Sequence, residues 1–307
     1  MSGAPWPDGP ADSVQVWLVP DQRSERVLAE LLAVLDAGER LRADACRSAD
    51  ARRRFVVAHG ALRHIVAGHL GIPAARIRWR RGPHGKPHLA GRWSGTQVNL
   101  SHSGEVAMVA VTASRRVGVD IQRVLPHVDG AAMARRYFPP EEALLVRAAL
   151  DPAERADRFA RLWARKEALV KAHGCRLTQG LRIPVTGPGC AVAEPAGAVA
   201  GPPTTDRGTT DRGTTDRGTT APGDGTTARA PGTAAGPLAT ALGPGVTADG
   251  RTASPRTEDA WSRDYHLTDV DAPPGYRAAV ALAGPAGYRV TWHRWTWPGP
   301  APADPAP

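Results

Sequence analysis

The sequence predicts an α+β fold. Two long helical runs, residues 50–70 and 154–173, stand far apart in the chain, and each is accompanied by short apolar runs with strand character. A stretch dominated by Gly, Pro, Thr and Ala, residues 187–258, interrupts the second group, and strand-like pieces resume after it.

The elements follow in order. Residues 14–19, VQVWLV, read as a strand. Residues 24–35 place Val27, Leu28, Leu31, Leu32 and Leu35 at helical spacing. Over 50–70 the second helix turns Phe55, Leu62, Val66 and Leu70 to the core and has Arg52, Arg53 and Arg63 among its polar positions; Gly71 and Pro73 end it. Residues 76–79, 97–100, 105–112 and 117–121 are short apolar runs broken by Gly, Ser and His, and they read as strands of one sheet. Pro139-Pro140-Glu141-Glu142 suits a helix start, with proline in the first turn and acids at the positive end of the dipole. Gly174 is placed to cap the helix over 154–173. Strands recur at 264–269, 276–283 and 287–292. Within 187–258, TTDRG repeats three times from Thr204, and such a composition buries too little apolar surface to offset its ordering entropy, so an insert without order is expected there. The tail 298–307 reads the same way.

The chain has 307 residues and a net charge of +9. Eleven arginines between residues 40 and 81, against Asp44 and Asp50, account for that whole excess. Such a cluster suits a polyanion: a nucleic acid, a phosphate-rich cofactor or an acidic protein. No apolar run approaches the ~18 residues of a membrane span, and MSGAPWPDGPADS lacks the basic and apolar regions of a secretory signal. Three widely spaced cysteines, Cys46, Cys175 and Cys190, form no CxxC pattern. The expectation is a cytoplasmic protein without a membrane partner.

Four motifs carry chemistry. In VGVDIQ, residues 117–122, Asp120 and Gln122 share one face of a strand while Val119 and Ile121 pack inward. The two oxygens suit a metal, or Asp120 simply reaches water at a strand end. In WARKEALVKAHG, residues 163–174, Trp163, Glu167 and Lys171 stack at i, i+4 with Lys166 beside them. That is either a surface ion pair or a base with a neighbouring acid. NLSHSG, residues 99–104, offers hydroxyl, imidazole and backbone donors at a strand end, which suits phosphate or ribose. Adjacent Ser101 and His102 point to opposite faces and make a poor nucleophile–base pair. Gly85-Lys86-Pro87 can offer an ammonium to an anion but lacks the rest of a phosphate-binding P-loop.

In this order and spacing, GKP, NLSHS, GVDIQ and WARKEALVKAHG closely resemble the Sfp-type 4′-phosphopantetheinyl transferases. The resemblance covers roughly residues 12–186 and 262–293. It implies a pseudo-twofold tandem of two similar α/β halves, each a small sheet packed by a long helix: residues 1–116, and residues 117–186 with 259–297. It implies Mg2+-dependent transfer of 4′-phosphopantetheine from coenzyme A to a serine of an apo carrier protein, with release of adenosine 3′,5′-bisphosphate. Asp120 and Glu167 match the metal-binding carboxylates. Gln122 stands where many members have Glu, so an amide replaces a charge. Glu167 becomes the base and Lys171 the group that neutralises the leaving bisphosphate. Arg54, Lys86, Ser101 and His102, with Asp120 and Lys171, become the coenzyme A contacts.

The implied partners are acidic acyl or peptidyl carrier protein domains, with no nucleic acid, and a monomer suffices. The alternative is a relative that binds coenzyme A but no longer transfers, given Gln122; the retained Glu167 and Lys171 argue against it. A nucleic-acid binder explains the arginines but not Asp120, Glu167 and Lys171. A serine hydrolase lacks a GxSxG elbow.

Overall fold

The computed structural model describes residues 12–186 and 264–297, apart from 22 and 285. The expected insert 187–258 and tail 298–307 lie outside the described residues. The described residues begin with strand β1 (Ser13–Pro20) and helices α1 (Glu25–Ala33), α2 (Ala37–Asp44) and α3 (Ala49–Leu70). The hairpin β2 (Trp79–Arg81) and β3 (Pro87–Leu89) follows, then β4 (Gln97–Ser103), β5 (Val106–Thr112) and β6 (Val117–Arg123). Four helices come next: α4 (Gly130–Tyr137), α5 (Pro140–Arg147), α6 (Pro152–His173) and α7 (Leu177–Gly180). Strands β7 (Tyr265–Val270), β8 (Tyr276–Ala283) and β9 (Arg289–Arg294) complete the described chain.

The long helices carry the caps their sequences advertise. Ser48 accepts from the Ala51 amide at the start of α3, and Gly71 ends it in the left-handed region. Asp151 accepts from Glu154 at the start of α6, Pro152 takes the first turn, and Gly174 closes the other end at φ 86°. The short α2 is set by a capping box between Asp36 and Glu39.

The strands do not form one sheet, and here the sequence expectation is corrected. β4, β5, β1 and β9 form a four-stranded sheet; β6, β8 and β7 form a separate three-stranded sheet; β2 and β3 stand alone as a hairpin, with residues 74–76 a turn of 3-10 helix. β9, expected with the second half, pairs in parallel with β1. Alternation along the strands explains the separation. On β5, Ala107, Val109 and Val111 pack with α3 residues such as Val56 and Leu62. Met108 and Ala110 turn the other way, onto Val117, Val119 and Ile121 of β6 and Val280 of β8. β6 and β8 in turn carry α6 on their remaining face. The order through the core is therefore α3, first sheet, second sheet, α6.

Arg63 also departs from expectation. Instead of facing water it is fully buried, with Nε donating to Glu39 at 2.6 Å and a terminal nitrogen to Asp36 at 2.6 Å. Its other terminal nitrogen donates to the carbonyls of Ala74 and Ile77. A buried guanidinium survives only with its donors filled. This one joins α2, α3 and the turn before β2.

Gly118 lets α6 lie on β6. A Cβ there would overlap the Ala168 carbonyl oxygen and the Ala172 amide, both backbone atoms of the helix. Gly118→Ala is expected to lose about 3 kcal/mol or more, because backbone cannot step aside as a side chain can. Chemical denaturation of the variant checks this.

Candidate active site at the strand–helix seam

β4 and β6 run side by side as edges of different sheets, without a backbone ladder between them. Side chains replace the ladder. The Val119 amide donates to Asn99 Oδ1 at 2.9 Å, the Ile121 amide to Ser101 Oγ at 3.4 Å, and the Arg123 amide to Ser103 Oγ at 3.0 Å. Both sets recur every second residue, as one face of each strand requires. All three acceptors are buried. The NLSHS motif is thus first a seam.

Beside the seam α6 delivers Glu167 and Lys171, one helical turn apart. Lys171 Nζ donates to Asp120 Oδ1 at 2.6 Å and to Ser101 Oγ at 3.0 Å, and lies 4.0 Å from Glu167 Oε2. Ser101 gives its own proton to Asp120 Oδ1 at 2.6 Å. Burial pushes the Glu167 carboxyl up to about 7; Lys171 works against this and the Asp120 charge adds to it. Burial disfavours the Lys171 ammonium, but Asp120 and Glu167 outweigh it and the net shift is upward.

The other expected residues sort themselves by place. His102, on the opposite face of β4 from Ser101, borders a cavity of about 450 Å³. The residue is exposed, yet desolvation by the surrounding protein, with the Lys171 charge second, lowers its pKa to about 4. Arg54 and His102 together line a smaller cavity beside Asp21. Gln122 is buried on the Asp120 face of β6, its amide nitrogen donating to the Arg123 carbonyl at 3.0 Å, which leaves its oxygen as the remaining acceptor. Lys86, expected at a phosphate, donates from Nζ to the carbonyls of Val117 at 3.1 Å and Ala172 at 3.0 Å. Burial, with Arg116 nearby, lowers its pKa to about 7.

Two neighbours in the helix motif are structural. Lys166 is fully buried and pairs with the equally buried Glu142 of α5 at 2.6 Å. Trp163 packs with Phe138 and Phe159. Sequence reasoning missed Arg42, His59, Trp79 and Arg81 on the wall of the large cavity. Arg42 and Arg81 belong to the arginine cluster, but nothing local marks which of its members face a cavity.

Asp120 and Glu167 set two carboxylates against the single Lys171 ammonium. Among the described residues no group of three or more His, Cys, Asp or Glu side chains is assembled for a metal. The donor set nonetheless suits a hard divalent cation, which takes oxygen ligands and fills its remaining positions with water or substrate oxygens.

Comparison with known proteins joins these pieces. Residues 22–114 match the family described as 4′-phosphopantetheinyl transferase, N-terminal, and residues 116–197 match the 4′-phosphopantetheinyl transferase superfamily. The 4′-phosphopantetheinyl transferase HetI of Nostoc is 36% identical over 166 residues, covering 53% of this chain and 70% of its own. The chain belongs to the 4′-phosphopantetheinyl transferase superfamily. Further relatives of this transferase are 4′-phosphopantetheinyl transferase psf-1 of Bacillus pumilus and a frog enzyme. The first is 29% identical over 55% of this chain and 70% of its own. The second is the L-aminoadipate-semialdehyde dehydrogenase-phosphopantetheinyl transferase of Xenopus laevis, 35% identical over 38% of this chain and 41% of its own. The boundary between the two matched segments falls just before β6, where the seam joins the sheets.

Two stability predictions follow from the transferase's buried contacts. Asn99→Ala strands the Val119 amide, an expected loss of about 1–3 kcal/mol, read by urea denaturation. Lys166→Met leaves Glu142 without its cation, an expected loss of about 3–5 kcal/mol. Adding Glu142→Leu should recover much of it, and equilibrium unfolding of single and double variants measures the recovery.

Proposed function

We propose that this transferase is of the Sfp type and moves 4′-phosphopantetheine from coenzyme A to a serine hydroxyl of an apo acyl or peptidyl carrier protein, releasing adenosine 3′,5′-bisphosphate. The observation that carries the reading is the convergence of Asp120, Lys171 and Glu167 at the seam, with a cavity bordered by His102 on the other face of β4. The two halves are read as residues 1–116 and 117–186 with 259–297, the last strand returning to the first sheet.

The residues divide the work. A serine hydroxyl is a weak nucleophile at neutral pH and needs a base. Glu167, its carboxyl held near neutrality by burial, takes that proton as the serine oxygen bonds to the β-phosphorus of coenzyme A. The bond from this phosphorus to the bridging oxygen breaks, and the electron pair leaves on the bisphosphate. Lys171, kept charged by Asp120, offsets the negative charge of the leaving group. His102 and Arg54 border the cavities on the other face of β4 and are assigned to the phosphates. Asp120 and Glu167 would hold Mg2+, with Gln122 an uncharged neighbour, and when bound the ion neutralises diphosphate charge. Ser101 is tied to Asp120 and Lys171 and serves by orienting them. Exposed arginines of residues 40–81, among them Arg40, Arg47, Arg76, Arg78 and Arg80, suit an acidic carrier domain. A monomer is sufficient, and among the described residues no helix is long and apolar enough to cross a membrane.

The test is the intact mass of an apo carrier protein after incubation with the enzyme, coenzyme A and Mg2+. The expected result is a gain of one phosphopantetheine, absent with EDTA and with Glu167→Ala. Gln122→Glu should reach half-maximal rate at lower Mg2+. No gain across acyl and peptidyl carriers, with coenzyme A binding intact, would leave a binding protein that no longer transfers.

A further inference from the structure

We propose that Lys86 is a positioning residue for transfer, holding the end of α6 and the start of β6 at the spacing that brings Lys171 onto Asp120. The proposal rests on the transferase reading above. Its ground is the site of the ammonium. Val117, whose carbonyl accepts one proton, lies three residues before Asp120 on β6. Ala172, whose carbonyl accepts another, directly follows Lys171. One side chain therefore touches the backbone of both elements that supply the catalytic pair.

The end of a helix needs such a partner. The last four carbonyls of α6 have no intrahelical donor, and they carry the negative end of the helix dipole. The Gly174 amide closes back on Val170, and Arg116 donates to the His173 carbonyl at 3.2 Å. Lys86 fills Ala172 from outside the helix. Its stem lies along the glycine cap, where a Cβ on Gly174 would stand 3.4 Å from Lys86 Cδ.

The turn that presents Lys86 is itself stiff. The Gly82 amide donates to the Lys86 carbonyl, the Gly85 amide donates to Gly82, and Gly85 takes φ 84°. Gly85 and Pro87, on either side of Lys86, line the large cavity. The same turn walls the cavity with its backbone neighbours and grips α6 with its side chain. A shift of the cavity wall is thereby a shift of the helix end.

Lys86→Met, which removes the donors but keeps most of the stem, and Lys86→Arg, which restores donors, test this. Two readouts are taken: transfer kinetics with coenzyme A and with 3′-dephospho-coenzyme A, and amide hydrogen exchange. For the Met variant the expected result is a kcat lower by about tenfold or more, with KM for coenzyme A within about threefold of wild type. The preference for the 3′-phosphate should be unchanged, and Arg should recover most of kcat. Amides at the end of α6 should exchange about fivefold faster in the Met variant, with β5 unaffected.

A KM raised about tenfold with kcat kept, or a lost preference for the 3′-phosphate, would overturn the proposal in favour of a phosphate ligand. Unchanged exchange at the end of α6 would overturn it whatever the kinetics. If the wild-type protein transfers nothing, the exchange comparison still decides the clamp, and the failure belongs to the transfer reading. Should Lys86→Met not fold, Lys86→Gln is read by the same criteria.

Discussion

Everything in the site depends on how two sheet edges are joined without a common ladder. A strand edge presents backbone amides that must find acceptors once buried. Here Asn99, Ser101 and Ser103 supply those acceptors to β6. Ser101 also donates to Asp120 and accepts from Lys171, so the structural seam and the chemical group share an atom. The carboxylate in the apolar run 117–121 is therefore neither a surface residue nor a stray buried charge. It is partnered from the neighbouring strand and from the facing helix.

Two buried cations elsewhere are likewise held by carboxylates. Arg63 with Asp36 and Glu39 ties α2 to α3, and Lys166 with Glu142 ties α6 to α5. These pairs are costly to desolvate and fix geometry better than they add stability. The catalytic group differs. Glu167 is held at 4.0 Å from its cation rather than in contact, and burial pushes its carboxyl pKa up to about 7. Lys171 meets Asp120 at 2.6 Å, as in the structural pairs, so within the catalytic group it is Glu167 that stands apart.

Much of this was legible in the sequence because the governing forces are local. Periodicity placed α3 and α6, and glycine and proline marked their ends. The i, i+4 spacing put Glu167 beside Lys171, and strand alternation put Ser101 and His102 on opposite faces. What was not legible depends on partners distant in the chain. Arg63 reads as a polar helix position until Glu39, 24 residues earlier, meets it, although Asp36-x-x-Glu39 is itself a readable capping box. Lys86 reads as an ammonium offered by a Gly-Lys-Pro turn, and the carbonyls it donates to, 31 and 86 residues away, leave no local trace. The division of the strands into two sheets was hidden for the same reason: periodicity tells which residues face inward, not which edge meets which.

The parallel pairing of β9 with β1 ties residues 289–294 to residues 13–18. The first sheet is complete only after residues 289–294 have left the ribosome, so β1 waits until then with an open edge. The thermodynamic cost of the long excursion between these strands is small, since loop-closure entropy grows only with the logarithm of length and doubling a loop costs about 0.6 kcal/mol. Residues 187–258 fall inside that excursion. The time during which β1 stands unpaired grows with every residue placed between the two strands.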